Sequence, residues 1–105
     1  MDEKRMKEIG LRLRRLRIAE GYPSHAGLAK RLEVNRSTWL RWEAGARLIP
    51  PAQADQLCAL TGVTMDWIYR GQEDALPEHI AAKLRAAPES PPPPWTGRPR
   101  KADAA

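Results

Sequence analysis

The sequence predicts an all-α fold: five short helices, a weaker sixth and a proline-rich tail. Apolar residues recur at spacings of three and four in separate segments, and no segment alternates apolar and polar residues as a strand would. Glycine, proline and capping residues stand where those segments begin and end. Two segments, 24–32 and 36–44, are separated by so short a turn that they must form a bent pair.

The first helix is expected over 3–20. Met6, Ile9, Leu13 and Leu16 fall on one face, and Lys4, Arg5, Lys7, Arg12, Arg14, Arg15 and Arg17 cover much of the rest. Leu11 and Ile18 lie off this stripe, which predicts contact on more than one side. Gly21 ends the helix. Ser24, after Pro23, is placed to cap the second helix. Its inner face is Leu28, Ala29 and Leu32, with Ala29 small where two helices cross. Glu33 and Val34 make the turn, and Val34 fills its corner. Asn35 is placed to cap the third helix, whose inner face is Trp39, Trp42 and Glu43. Pro50 and Pro51 suit the start of a fourth helix over 51–61. It buries Ala54, Leu57, Cys58 and Thr61 and stops at Gly62. Thr64 caps a fifth over 65–70, with Trp67 and Ile68 inward and Gly71 behind it.

Beyond Gly71 the pattern thins. Residues 77–87 form a weak helix with Glu78 near its start, Lys83 and Arg85 near its end, and only Ile80 and Leu84 as large apolar residues. From Pro88 the chain is proline-rich and basic without periodicity, as expected of an extended, disordered tail. The expected organisation is a domain over 3–71, a linker with the short helix over 72–87, and a tail over 88–105.

The chain has 105 residues, with 18 Lys and Arg against 13 Asp and Glu, a net charge of +5. That balance suits a polyanionic partner, although excess charge also serves solubility. A single cysteine, Cys58, excludes an intramolecular disulfide and a thiolate metal cluster. The first residues lack the apolar core of a signal peptide, and no run is long enough to span a membrane, so a cytoplasmic protein is expected. His25, His79 and Cys58 lack metal-ligand spacing. There is no glycine-rich phosphate loop and no carboxylate pair in a plausible cleft. No enzyme, metal or cofactor is expected.

Residues 24–45 resemble the Cro/phage-repressor type of helix-turn-helix, the xenobiotic-response-element family of bacterial regulators. The resemblance is carried by Leu28-Ala29, by Asn35-Arg36-Ser37-Thr38, by Glu43-Ala44-Gly45, and downstream by the segment TGVTMDWIYRG. It spans about residues 5–71 and implies a lambda-repressor-like five-helix domain that binds double-stranded DNA and regulates transcription, most simply as a repressor. Three positions depart from the pattern. Glu33 stands where glycine is usual, at a turn residue that often takes a left-handed conformation, where a side chain costs roughly 1 kcal/mol. His25 replaces a glutamine that holds a backbone phosphate and braces the third helix. The loop Gly21-Tyr22-Pro23 is one residue longer than usual.

At 100° per residue, centring the buried face of the third helix on Trp39 turns Ser37 and Arg41 nearly opposite, with Leu40 beside them and Arg36 at the first turn. Arg36, Ser37, Leu40 and Arg41 are therefore the base-reading candidates, Arg41 first. Arginine matches the two major-groove acceptors of guanine, and Leu40 can meet a thymine methyl. Ser24, His25, Asn35 and Arg47 are the phosphate-binding candidates; Lys30 is weaker, and Arg17 depends on how the first helix docks. Trp39, Trp42 and Trp67 read as core. Trp95 has no such explanation, and Gly97-Arg98-Pro99 matches the centre of an AT-hook, a minor-groove element, less well than it fits a basic tail of non-specific affinity. A homodimer on a two-fold site is expected, with Asp66–Tyr69 or helix 77–87 as its surface because Ile80 and Leu84 need cover. An antitoxin or protein-interaction module, with a toxin as partner, is the alternative on the same fold. RNA is less favoured.

Overall fold

A computed structural model describes residues 2–88, which contain six helices and no strand. They are α1 (Glu3–Ala19), α2 (His25–Arg31), α3 (Arg36–Glu43), α4 (Pro51–Thr61), α5 (Met65–Arg70) and α6 (Glu78–Ala86). Among the described residues no helix is long and apolar enough to cross a membrane. Trp95 and Gly97-Arg98-Pro99 lie outside them.

Capping explains several of the boundaries. Thr64 accepts from the Trp67 N–H at 3.0 Å and starts α5. Asp2 does the same for α1, accepting from the Arg5 N–H at 2.7 Å, a cap the periodicity argument overlooks. Ser24 and Asn35 occupy the positions before α2 and α3, yet neither side chain makes a capping bond. Their hydroxyl and amide are left for other partners.

One core holds the six helices together. Ile9, Leu13 and Leu16 of α1 meet Leu28 and Ala29 of α2, Trp39 and Trp42 of α3, Leu57 of α4, and Trp67 and Ile68 of α5. The most extensive packing is between α1 and α3. It depends on Gly10, because a methyl there would lie 2.3 Å from the carbonyl oxygen of Glu43. The α2–α3 turn takes the left-handed form that the resemblance implies, with Glu33 at φ +58°. A non-glycine residue there costs about 1 kcal/mol or more. The Tyr69 hydroxyl donates to the Ile49 carbonyl at 2.6 Å, tying α5 to the loop before α4.

One packing expectation is corrected. Ile80 and Leu84 need no second molecule as cover, because α6 lies on α1 and buries both in the common core with Leu76 and Ala81. Arg15 donates to the carbonyls of Leu84 and Ala87 at 3.3 Å each, and Lys83 pairs with Glu20 at 2.8 Å, so α1 also binds α6 through polar groups. The expectation that α1 is contacted on more than one side holds, since α3, α5 and α6 all pack on it, while Leu11 itself is 62% exposed.

Candidate nucleic-acid interface

The two faces of α3 differ sharply. Trp39 is fully buried and Trp42 nearly so, and their rings meet edge to face with centroids 5.7 Å apart. Arg36, Ser37, Leu40 and Arg41 are all exposed. The 100° period turns Ser37 and Arg41 nearly opposite Trp39 and Leu40 to the side, whereas Arg36, only about 60° from Trp39, is exposed because it begins the helix. Leu40 is 41% exposed, an apolar side chain among polar ones.

The orientation of α3 is fixed from beneath by Glu43. Its carboxylate accepts from Arg17 through Nε at 2.6 Å and Nη2 at 3.2 Å, and from the Trp39 indole N–H. Arg17 also donates to the Tyr22 carbonyl at 2.8 Å. The ion pair is buried, with side chains 2% and 6% exposed. Such a pair adds little net stability over an apolar substitute, but removing one partner strands a charge. Its effect is positional: the last turn of α3 is tied to α1 and to the loop before α2. Arg17 is thereby excluded as a phosphate contact.

The phosphate candidates separate into two kinds. Ser24, Asn35 and Arg47 are exposed. The backbone N–H groups of Ala46 and Arg47 both donate to the Arg41 carbonyl, which fixes the loop carrying Arg47 relative to α3. His25 is different. It is half-buried, with Nε2 3.3 Å from Glu43 Oε1 and a side chain 26% exposed, so it faces the Glu43 carboxylate as well as solvent. Burial holds its pKa below the usual histidine value. Glu43 opposes that shift, and Arg17 and Arg36 reinforce it.

The sequence places Glu43 on the inner face of the third helix as a structural acid for nearby backbone or a basic side chain near the helix end, without identifying Arg17 as the partner. A signal was present. Arg17 lies four residues after Leu13 and next to Leu16, on the buried side of α1, where an unpaired guanidinium could not stay.

A family model described as a helix-turn-helix domain matches residues 8–70. No curated protein and no solved structure matches the chain.

Proposed function

We propose that this chain, which belongs to the helix-turn-helix family matched over residues 8–70, a family of the Cro/XRE type, is a sequence-specific regulator of transcription. The family supplies DNA binding; the manner of reading is our inference. The observation that carries it is the division of α3 into a buried tryptophan face and an exposed side bearing Ser37, Leu40 and Arg41, with Arg36 exposed at the first turn. With α3 in the major groove, Arg41 and Arg36 take guanine acceptors, Leu40 meets a thymine methyl, and Ser37 bonds a base edge. Ser24, His25, Asn35 and Arg47 grip phosphates on either side. Because one α3 spans few base pairs, two copies of the chain bind a two-fold site with half-sites about one helical turn apart. Occupying a promoter in this way represses by exclusion.

Selection from a random duplex library tests the proposal. The expected result is a two-fold consensus bound with affinity that falls steeply as salt rises. Arg41→Ala should lose about 1–3 kcal/mol of discrimination at one base pair per half-site while retaining non-specific binding. Equal weakening on all duplexes would reduce Arg41 to a phosphate contact. Failure to enrich any duplex at low salt would refute the regulator reading.

A further inference from the structure

His25 occupies an unusual place in the interface. It stands on α2 within reach of one carboxylate, Glu43 of α3, and is influenced by two guanidiniums, Arg17 of α1 and Arg36 of α3. The single negative charge is already taken up, since Arg17 holds both Glu43 oxygens and the Trp39 indole donates to one of them. A proton on His25 would add a third cation around one anion. In the free protein burial first, and then the two guanidiniums, favour the neutral ring against the opposing pull of Glu43.

We propose that His25 is a proton-linked DNA contact, taking up a proton as duplex DNA engages Ser24, His25 and Arg36, so that the duplex binds more tightly as the pH falls. The inference rests on the DNA-binding reading above and adds a regulatory property to it. A phosphate arriving at this surface supplies the second anion that the cluster lacks. The imidazolium can then donate one N–H to the phosphate while the other faces Glu43. Of the ring's environments, only the complex contains both acceptors. By reciprocity, what DNA does to proton affinity the proton does to DNA affinity.

The sign follows directly. The free-state pKa lies below 6.5, and the bound-state value is higher because an anion has been added. Tightening begins as the pH falls through the bound-state pKa and levels off below the free-state one. One proton per protomer limits the slope to about tenfold per pH unit for each bound copy, so about a hundredfold for two copies on a two-fold site.

The chain has only two histidines, His25 and His79, and His79 is exposed on α6. Dissociation constants for a selected duplex should be measured at fixed salt between about pH 8 and about pH 5.5, the range in which an ordinary histidine titrates. Wild type and His79→Gln should tighten as the pH falls, whereas His25→Gln should bind with little dependence on pH. Calorimetry in two buffers of different ionisation enthalpy should show proton uptake on binding by wild type and none by His25→Gln. If His25→Gln fails to fold, the proton count on wild type decides alone. A pH-independent wild-type affinity, zero proton uptake, or a dependence that survives in His25→Gln overturns the proposal while leaving DNA binding in place. If no duplex binds at any pH, the DNA-binding reading fails first and this one with it.

Discussion

Gly10→Ala separates two effects of opposite sign at one position. In a helix interior alanine is favoured over glycine by about 1 kcal/mol, so propensity alone predicts a more stable protein. The packing predicts the reverse. The added Cβ would lie 2.3 Å from the Glu43 carbonyl oxygen, 2.8 Å from its carbonyl carbon and 2.8 Å from the Trp42 carbonyl oxygen. An ordinary carbon–oxygen contact is about 3.3–3.6 Å, so α1 and α3 must separate by about 1 Å. The obstacle is backbone, which cannot rotate aside as a side chain would. Overpacking typically costs about 1–3 kcal/mol, and this site belongs at the upper end. A shift of that size also loosens the Trp39 and Trp42 packing, since a gap of about 0.5–1 Å forfeits a quarter to a half of a dispersion contact. Net destabilisation of about 2 kcal/mol follows, a fall in Tm of about 8–16 °C at the usual roughly 4–8 °C per kcal/mol. Thermal unfolding followed by far-UV circular dichroism measures it. An unchanged or raised Tm would refute the claim that this glycine sets the α1–α3 approach.

Three further perturbations address other parts of the argument. Glu33→Gly relieves the left-handed φ of +58° and should raise Tm by a few degrees, because strain of about 1–2 kcal/mol is partly offset by glycine's greater unfolded-state freedom; a lower Tm would mean that Glu33 makes compensating contacts. Glu43→Gln strands the buried Arg17 guanidinium and should cost about 3–5 kcal/mol in denaturant unfolding, with much of that recovered when Arg17→Met is added; additive effects would show that the pair does not act as a unit. The free protein should lose stability as the pH falls below 6.5, because the unfolded chain binds a proton at His25 before the folded one does, and the loss should stop once the pH has passed below the folded-state pKa. Comparing wild type with His25→Gln across that window isolates the contribution, and identical curves would place the pH dependence elsewhere.

The parts legible in the sequence were those fixed by local rules. Gly21, Thr64 and Gly71 mark helix ends through backbone chemistry, and the Trp39–Trp42 spacing identifies a buried face through the helical period alone. What escaped was set by contacts between distant segments. Ile80 and Leu84 make too thin a stripe to predict burial unless one knows that α6 folds back onto α1 and that Leu76 and Ala81 join them. Gly10 reads locally as a weak spot in a helix, and only the α3 carbonyls opposite reveal its use. The same holds for Arg17, whose position on the buried side of α1 is visible while its partner 26 residues away is not.

Arg17 and Gly10 together set the position of the proposed reading surface. A helix-turn-helix is usually described as one helix supporting the next, yet α3 here is set by α1 as well as α2: Gly10 fixes the distance and Arg17, through Glu43, fixes the last turn. Ser37, Leu40 and Arg41 are exposed away from Trp39 and Arg36 is exposed at the first turn, so under the proposed reading changes among them should alter base preference with small effects on stability. Changes at Gly10, Arg17 or Glu43 should instead move stability and affinity together, because they displace the whole exposed face. His25 is the point where these two groups meet, since it touches Glu43 on the inner side and keeps an edge at the surface. A substitution there can change recognition without adding or removing any side chain that reads a base.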